Sequence, residues 1–147
     1  MKNKLLTGVI ISTLTGFAQA SPISFKIKSS YSESGPKEKE HHDWRNSLMV
    51  EPGQTYVVNY MKKTICDESE CTDREYLTEI TPELTANQQL KVGVRFLSKS
   101  KENKREFVGD LLTVQGETTS IKLKSQSAPG QEFFLRVSTE PERNKML

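Results

Sequence analysis

Side chains able to do chemistry gather at two places in the sequence, and the first is the run Glu40-His41-His42-Asp43. Imidazole and carboxylate groups bind metal ions, and histidine is the usual general base. Adjacent residues of an extended chain point to opposite sides, so His41 and His42 do not converge on one ion. No third ligand is marked elsewhere, and we predict a solvated loop rather than a metal site.

The second place is the acidic segment between the only two cysteines, Cys66 and Cys71. Four carboxylates lie within or just beyond it: Asp67, Glu68, Glu70 and Asp73. A small ring presenting these groups is suited to Ca²⁺ or to the basic surface of a partner protein. The alternative is a hairpin tip whose charges only keep it soluble. These four carboxylates are the candidate partner-binding residues.

Catalytic signatures are missing from the sequence. No serine lies in a Gly-x-Ser-x-Gly context, and a disulfide is expected to consume both cysteines. Carboxylates are abundant, but no pair stands apart in an apolar pocket. We therefore predict a protein that is not an enzyme, with no catalytic residues, no cofactor and no metal.

Aromatic and basic residues supply weaker candidates. Tyr56 and Tyr60 are predicted to share one face of a strand, where they either bind a sugar or peptide or pack in the core. Trp44 is expected to pack at the core. A run of basic residues forms a predicted hairpin tip: Lys99, Lys101, Lys104 and Arg105. This tip lacks interleaved aromatics, so we interpret it as a solvated guard of a sheet edge.

The first twenty residues have the three parts of a secretory signal. Lys2 and Lys4 precede an uncharged stretch over residues 5–17, and Ala18-Gln19-Ala20 provides a small-x-small cleavage site. The stretch is short and diluted by polar residues for a membrane span. We predict a signal peptide over residues 1–20 and one β domain over residues 21–147, with no stable membrane span after cleavage.

Cleavage of the signal determines the charge balance of the mature chain, and export determines its redox environment. The signal contains two of the 21 lysines and arginines and none of the 19 acidic residues, which leaves 19 charges of each sign. Net charge therefore gives no reason to expect nucleic acid as a partner. An oxidising compartment predicts a Cys66–Cys71 disulfide, which closes so small a ring that it shapes one loop only.

Alternation with a period of two dominates the mature chain. It predicts strands near residues 23–28, 44–50, 55–61, 75–80, 90–96, 107–114, 118–124 and 133–137. Residues 32–43 and 81–89 are predicted to be connections, and Pro52-Gly53 and Gln115-Gly116 are predicted to form turns. No amphipathic helix is apparent. The predicted fold is all-β, an antiparallel β-sandwich or open barrel of seven to eight short strands.

One segment resembles the terminal β-module of bacterial outer-membrane secretins. The resemblance covers residues 76–124 and rests on a strand ending in Thr81-Pro82, the alternating strand that follows, and the turn Val114-Gln115-Gly116-Glu117-Thr118. It implies a soluble β module, an accessory of an envelope assembly. The chain lacks the length of a pore-forming secretin.

The spacing of Cys66 and Cys71 also resembles the Cys-x4-Cys loop of Ivy-type periplasmic lysozyme inhibitors. In that family the loop carries a histidine that enters the enzyme, whereas this loop has Asp67-Glu68-Ser69-Glu70. Three functions follow from the sequence. The first is a periplasmic or secreted protein that contacts another envelope protein, and the alternative is an enzyme inhibitor or immunity protein acting through the cysteine loop. The third is a small-ligand or carbohydrate binder that uses Tyr56 and Tyr60.

Overall fold

The computed structural model describes residues 22–34, 39–66, 68–101, 103–124 and 130–141. These residues form eight strands: β1 (Ile23–Ser34), β2 (Lys39–Val50), β3 (Tyr56–Cys66), β4 (Cys71–Leu84), β5 (Leu90–Ser100), β6 (Lys104–Thr113), β7 (Thr118–Lys124) and β8 (Gln131–Thr139). Among the described residues, no helix has the length and apolarity that a bilayer crossing requires. The predicted signal peptide lies outside them.

The strands form two antiparallel sheets of four strands each. The first sheet has the order β2-β1-β8-β7, and the second has the order β3-β4-β5-β6. Every neighbouring pair within a sheet is antiparallel. The prediction of an all-β antiparallel sandwich is thereby confirmed, and the sheets do not close into one barrel.

The core lies between the sheets and follows from the alternation in the sequence. In β5 and β8, every second side chain is buried and its neighbours face outward. Aromatic rings form the centre, where Phe96 of the second sheet stacks on Phe133 of the first with ring centroids 4.4 Å apart. Tyr31 lies 4.9 Å from Phe96 by the same measure. Trp44 is partly buried and packs against this core.

Four of the five hairpin connections lie at one end of the sandwich, which we call the hairpin end. They join β1 to β2, β3 to β4, β5 to β6 and β7 to β8. The fifth hairpin, which joins β4 to β5, and the two crossings between the sheets lie at the opposite end. β1 and β8 are also neighbours, and Phe25 pairs with Thr139, so the outer ends of the first and last strands lie side by side away from the hairpin end.

Residues 32–34 and 39–43 are strand rather than the predicted loop. β1 runs to Ser34 and β2 begins at Lys39, with Glu33 directly opposite Glu40. The prediction failed because every residue here is polar, so no hydrophobic alternation is visible. The inward-facing polar groups are instead satisfied by partners on other strands. Only residues 35–38 of this segment fall outside the described part.

Strand β4 likewise continues through Pro82 to Leu84, where a connection was predicted. In an antiparallel strand the N–H and C=O of one residue point to the same neighbour. The carbonyl of Pro82 accepts from the N–H of Gly53 at 2.7 Å, on the side away from β5. Proline has no backbone N–H, and at position 82 this donor would point away from β5. No hydrogen bond between β4 and β5 is therefore lost at Pro82.

Both predicted turns are present. Gly53 has φ of +96° and Gly116 has φ of +97°, values that glycine adopts without steric cost. The N–H of Glu117 donates to the carbonyl of Val114 at 3.0 Å and closes the turn between β6 and β7. The predicted bounds of β7 match the observed ones.

Candidate functional site

The Cys66–Cys71 disulfide joins the last residue of β3 to the first residue of β4. The two cysteines are directly opposite each other in the strand register, so the bond closes the β3–β4 connection at the hairpin end. The predicted disulfide and its place at the base of a hairpin are thus found in the structure. We call residues 66–71 the cysteine hairpin.

The four candidate carboxylates do not share one environment. Glu68 and Glu70 are exposed in the cysteine hairpin, and Asp67 lies outside the described residues. Asp73 belongs to β4, where it accepts a hydrogen bond from Thr64 at 2.7 Å and faces Lys62 at 3.9 Å. Asp73 is therefore a cross-strand partner within the sheet.

A cleft of about 520 Å³ adjoins the cysteine hairpin on the second sheet. Its walls include Lys62, Asp73 and Glu75 together with Lys99 and Lys101 from the end of β5. The structure thus brings the acidic segment and part of the predicted basic tip to one place, although they are about 30 residues apart in sequence. The charges of both signs give this end a polar rim.

Next to this cleft, an apolar row of one exposed and two half-buried side chains crosses the outer face of the second sheet. Tyr60, Leu77 and Leu97 are directly opposite one another on β3, β4 and β5, and we call them the Tyr60 row. Tyr60 is 55% exposed, and its hydroxyl donates to Glu75 at 2.5 Å. That hydrogen bond raises the pKa of Tyr60. An apolar row beside a charged rim is the usual anatomy of a protein-contact surface.

The prediction that Tyr56 and Tyr60 share a face is wrong. The pairing of β3 with β4 shifts between Val57 and Asn59, which marks a β-bulge. A bulge adds one residue and reverses the inward–outward alternation beyond it. Tyr56 accordingly packs against the core, whereas Tyr60 faces solvent. The hydroxyl of Tyr56 accepts a hydrogen bond from the N–H of Glu51 at 2.6 Å. Both the ring and the hydroxyl of Tyr56 therefore have partners within the fold.

Beneath the hairpin end, the partly buried carboxylate of Glu33 is contacted by side chains from both sheets. Its side chain is 16% exposed and accepts from Arg74 at 3.0 Å and from Arg105 at 2.9 Å. Gln131 donates to the same carboxylate at 3.0 Å. Arg105 was predicted to be a solvated tip residue, and it instead pairs with Glu33.

A second carboxylate, that of Glu40, completes this cluster. It is 15% exposed and accepts from Arg74 at 2.8 Å and from His42 at 2.6 Å, and the hydroxyl of Tyr76 also donates to it. Burial alone raises the pKa of Glu40, but the hydrogen bonds from Tyr76 and His42 and the charge of Arg74 lower it overall. Arg74 therefore bridges Glu33 of β1 and Glu40 of β2 from the opposite sheet.

His41 and His42 point to opposite sides of β2, as expected for adjacent residues of an extended chain. His41 is exposed and pairs with Asp43 at 3.0 Å, while His42 faces inward and stacks on Trp44 with ring centroids 5.7 Å apart. Within the described ranges, no group of three or more metal-binding side chains comes together.

No protein-family model matches the chain, and no curated protein matches it in sequence. Among solved structures the chain is similar to the secretin InvG of the Salmonella SPI-1 type III secretion injectisome, a fragment from residue 176 to the end in the open gate state. The identity is 8% and the TM-score is 0.35, with 80% of this chain and 55% of that chain covered. The chain thus spans about half of that fragment, and a likeness this weak carries no information about function.

The clustering of basic side chains on the outer face of the first sheet was not predicted from the sequence. Lys26 and Lys28 alternate with buried residues in β1, and Lys122 and Lys124 alternate with partly buried residues in β7. A spacing of two places both members of each pair on one face. The signal was present in the sequence, but the balance of total charge concealed it.

Removing the disulfide should weaken the fold without abolishing it. We expect Cys66→Ser to lower the free energy of unfolding by about 1–3 kcal/mol, because the bond closes a ring of only about six residues. Urea denaturation of the oxidised protein and the variant measures the difference. Complete unfolding of the variant would show that the bond supports more than one hairpin.

Proposed function

We propose that this protein is an exported, non-enzymatic β-sandwich of the periplasm or the extracellular space that binds another envelope protein, as an accessory of an envelope or secretion assembly. The observation that carries the proposal is the Tyr60 row beside the charged cleft and the cysteine hairpin. Exposed aromatic and apolar groups mark contact surfaces, and Tyr is enriched among residues that dominate binding energy.

Export is supported by two independent features. The predicted signal over residues 1–20 directs secretion, and the Cys66–Cys71 bond suits an oxidising compartment. Mass spectrometry of the exported protein should find Ser21 as the first residue. A chain that still began at Met1 would remove the support that the predicted signal gives to export.

The electrostatic part of the contact comes from the cysteine hairpin. Glu68 and Glu70 are exposed there, and rim carboxylates steer a basic partner and fix its register. Such steering weakens with salt, because screening limits exposed charges to about 8 Å at physiological ionic strength. The partner is therefore expected to present a basic rim around an apolar pocket.

The test is cross-linking and capture from envelope extract with the full chain and a Tyr60→Ser variant. We expect this change to weaken binding about 30-fold, because removing a dominant aromatic contact costs about 2 kcal/mol. The triple change Asp67→Ser, Glu68→Ser and Glu70→Ser should weaken capture at low salt and have less effect at high salt.

A matched control is Leu112→Ser on the outer face of the same sheet. Leu112 is 55% exposed, the same fraction as Tyr60, but it lies on edge strand β6 away from the hairpin end. It should leave capture unchanged. Equal loss in both variants, or no loss with Tyr60→Ser, would place the contact elsewhere. An enzyme as the captured partner, inhibited on binding, would favour the inhibitor alternative.

A further inference from the structure

The outer face of the first sheet carries an unbalanced positive charge. Of its described side chains, six are basic and two, Asp43 and Glu132, are acidic. The basic ones are Lys26, Lys28, Arg45, Lys122, Lys124 and Arg136. The carboxylate of Glu132 lies 3.8 Å from Nζ of Lys122 and 4.0 Å from Nζ of Lys124. The carboxylate of Asp43 pairs with His41. Four cations therefore have no ion pair with any described residue.

Three of these four cations stand in one row across the sheet. Lys28 is directly opposite Arg45 on β2 and directly opposite Arg136 on β8. Like charges in direct cross-strand register destabilise a sheet. The guanidinium of Arg136 also lies 5.6 Å from the centre of the Phe134 ring, which holds it along its own strand.

The second sheet provides an internal comparison, since the outward positions of its strands hold five basic and six acidic residues. Arg95 forms ion pairs with both Glu79 and Glu106, and Lys62 faces Asp73. The same chain therefore balances charge on one outer face and leaves it unbalanced on the other. A need for solubility alone does not explain this difference, because both faces are exposed.

The four unpaired cations also share a depression of ligand size. A groove of about 410 Å³ crosses β2, β1 and β8 and is lined by Lys26, Lys28, Arg45, Ser47, Arg136 and Ser138. We call it the basic groove. Its volume lies within the range of small-molecule sites, and it has no acidic lining residue. Hydroxyl groups at Ser47 and Ser138 add neutral hydrogen-bond donors.

We propose that the basic groove binds a small ligand that carries two or more phosphate groups. A phosphate monoester has a charge of about −1.5 to −2 at neutral pH, so two of them match the four cations of the groove. Arginine binds phosphate through two parallel hydrogen bonds, and lysine acts as a point charge. Neighbouring strands are about 4.8 Å apart, so the three cations of the row start from backbone positions about that far apart. This spacing allows them to contact adjacent phosphate groups of one ligand.

The test is isothermal titration of the full chain with pyrophosphate, orthophosphate and citrate. We expect pyrophosphate to bind at least tenfold more tightly than either of the others. Lys28→Gln and Arg45→Gln should each weaken pyrophosphate binding about 10- to 100-fold, as expected for loss of a hydrogen bond to a charged group. The matched control, Lys124→Gln, removes one charge from the same face outside the groove and should change binding less than threefold.

A second measurement separates a binding role from a structural one. Because Lys28 lies between Arg45 and Arg136, Lys28→Gln should raise the Tm of the ligand-free protein by about 1–3 °C while weakening pyrophosphate binding. Citrate binding as tight as pyrophosphate, or equal losses in Lys124→Gln and Lys28→Gln, would overturn the proposal. So would binding to anionic phospholipid vesicles with no binding of pyrophosphate, because the face would then be a membrane-contact surface.

Discussion

Replacing Arg74 with methionine will lower the free energy of unfolding by about 3 kcal/mol in urea denaturation. Arg74 is the only described cation that contacts both of the partly buried carboxylates, Glu33 and Glu40. Removing one partner of a buried ion pair leaves an uncompensated charge, which costs about 3–5 kcal/mol. We expect the lower end of that range because Arg105 still pairs with Glu33.

The matched control for this change is Arg95→Met on the outer face of the second sheet. Arg95 also pairs with two carboxylates, but it is more exposed, and surface pairs contribute about 1 kcal/mol or less. Equal losses from the two variants would show that the cluster at the hairpin end is no more important than a surface pair.

The Arg74 effect also has a defined pH dependence. The folded protein holds the pKa of Glu40 below its ordinary value of 4.5, so this carboxylate stabilises the fold above that pH. The contribution is lost as the pH falls through the lowered pKa. The stability difference between the protein and Arg74→Met should therefore shrink on acidification below about pH 4.5.

Replacing Phe96 with alanine will lower the free energy of unfolding by about 3–5 kcal/mol. The ring is fully buried between the sheets, stacks on Phe133 and contacts Tyr31. The loss combines the transfer free energy of the ring with the cavity that remains. Thermal and urea denaturation of the variant measure it.

Val108→Ala is the control for the Phe96 variant. Val108 lies on the adjacent strand β6 but faces solvent with 66% exposure, so its truncation should change stability by less than about 0.5 kcal/mol. A small effect of Phe96→Ala would show that the aromatic centre readily repacks. The two sheets would then be held together chiefly at their ends.

Sequence reasoning recovered the parts of the fold in which hydrophobic alternation is visible. The buried residues of β5 and β8 and the bounds of β7 follow directly from the period of two. It failed where inward-facing residues are polar, as in residues 39–43. Glu40 faces inward because Arg74 and Tyr76 donate hydrogen bonds to it, and those partners are more than 30 residues distant in sequence. His42 faces inward beside it and hydrogen-bonds to Glu40.

The candidate sites show the same division. The Cys66–Cys71 bond could be predicted because two cysteines allow a single pairing within the chain. The sides of the sheet on which Tyr56 and Tyr60 lie could not be predicted, because a bulge has no clear signature in this sequence. The basic groove depends on strand order, because Arg136 meets Lys28 only when the last strand pairs with the first.

That pairing of the first and last strands also determines how the domain responds to force. Because Phe25 pairs with Thr139, pulling the two strand ends apart loads the hydrogen bonds along their own direction. Such bonds break one after another, as in a zipper, rather than all together in shear. Mechanical stretching should therefore open the first sheet, at low force, from the end of the sandwich opposite the hairpin end, before the second sheet is disturbed.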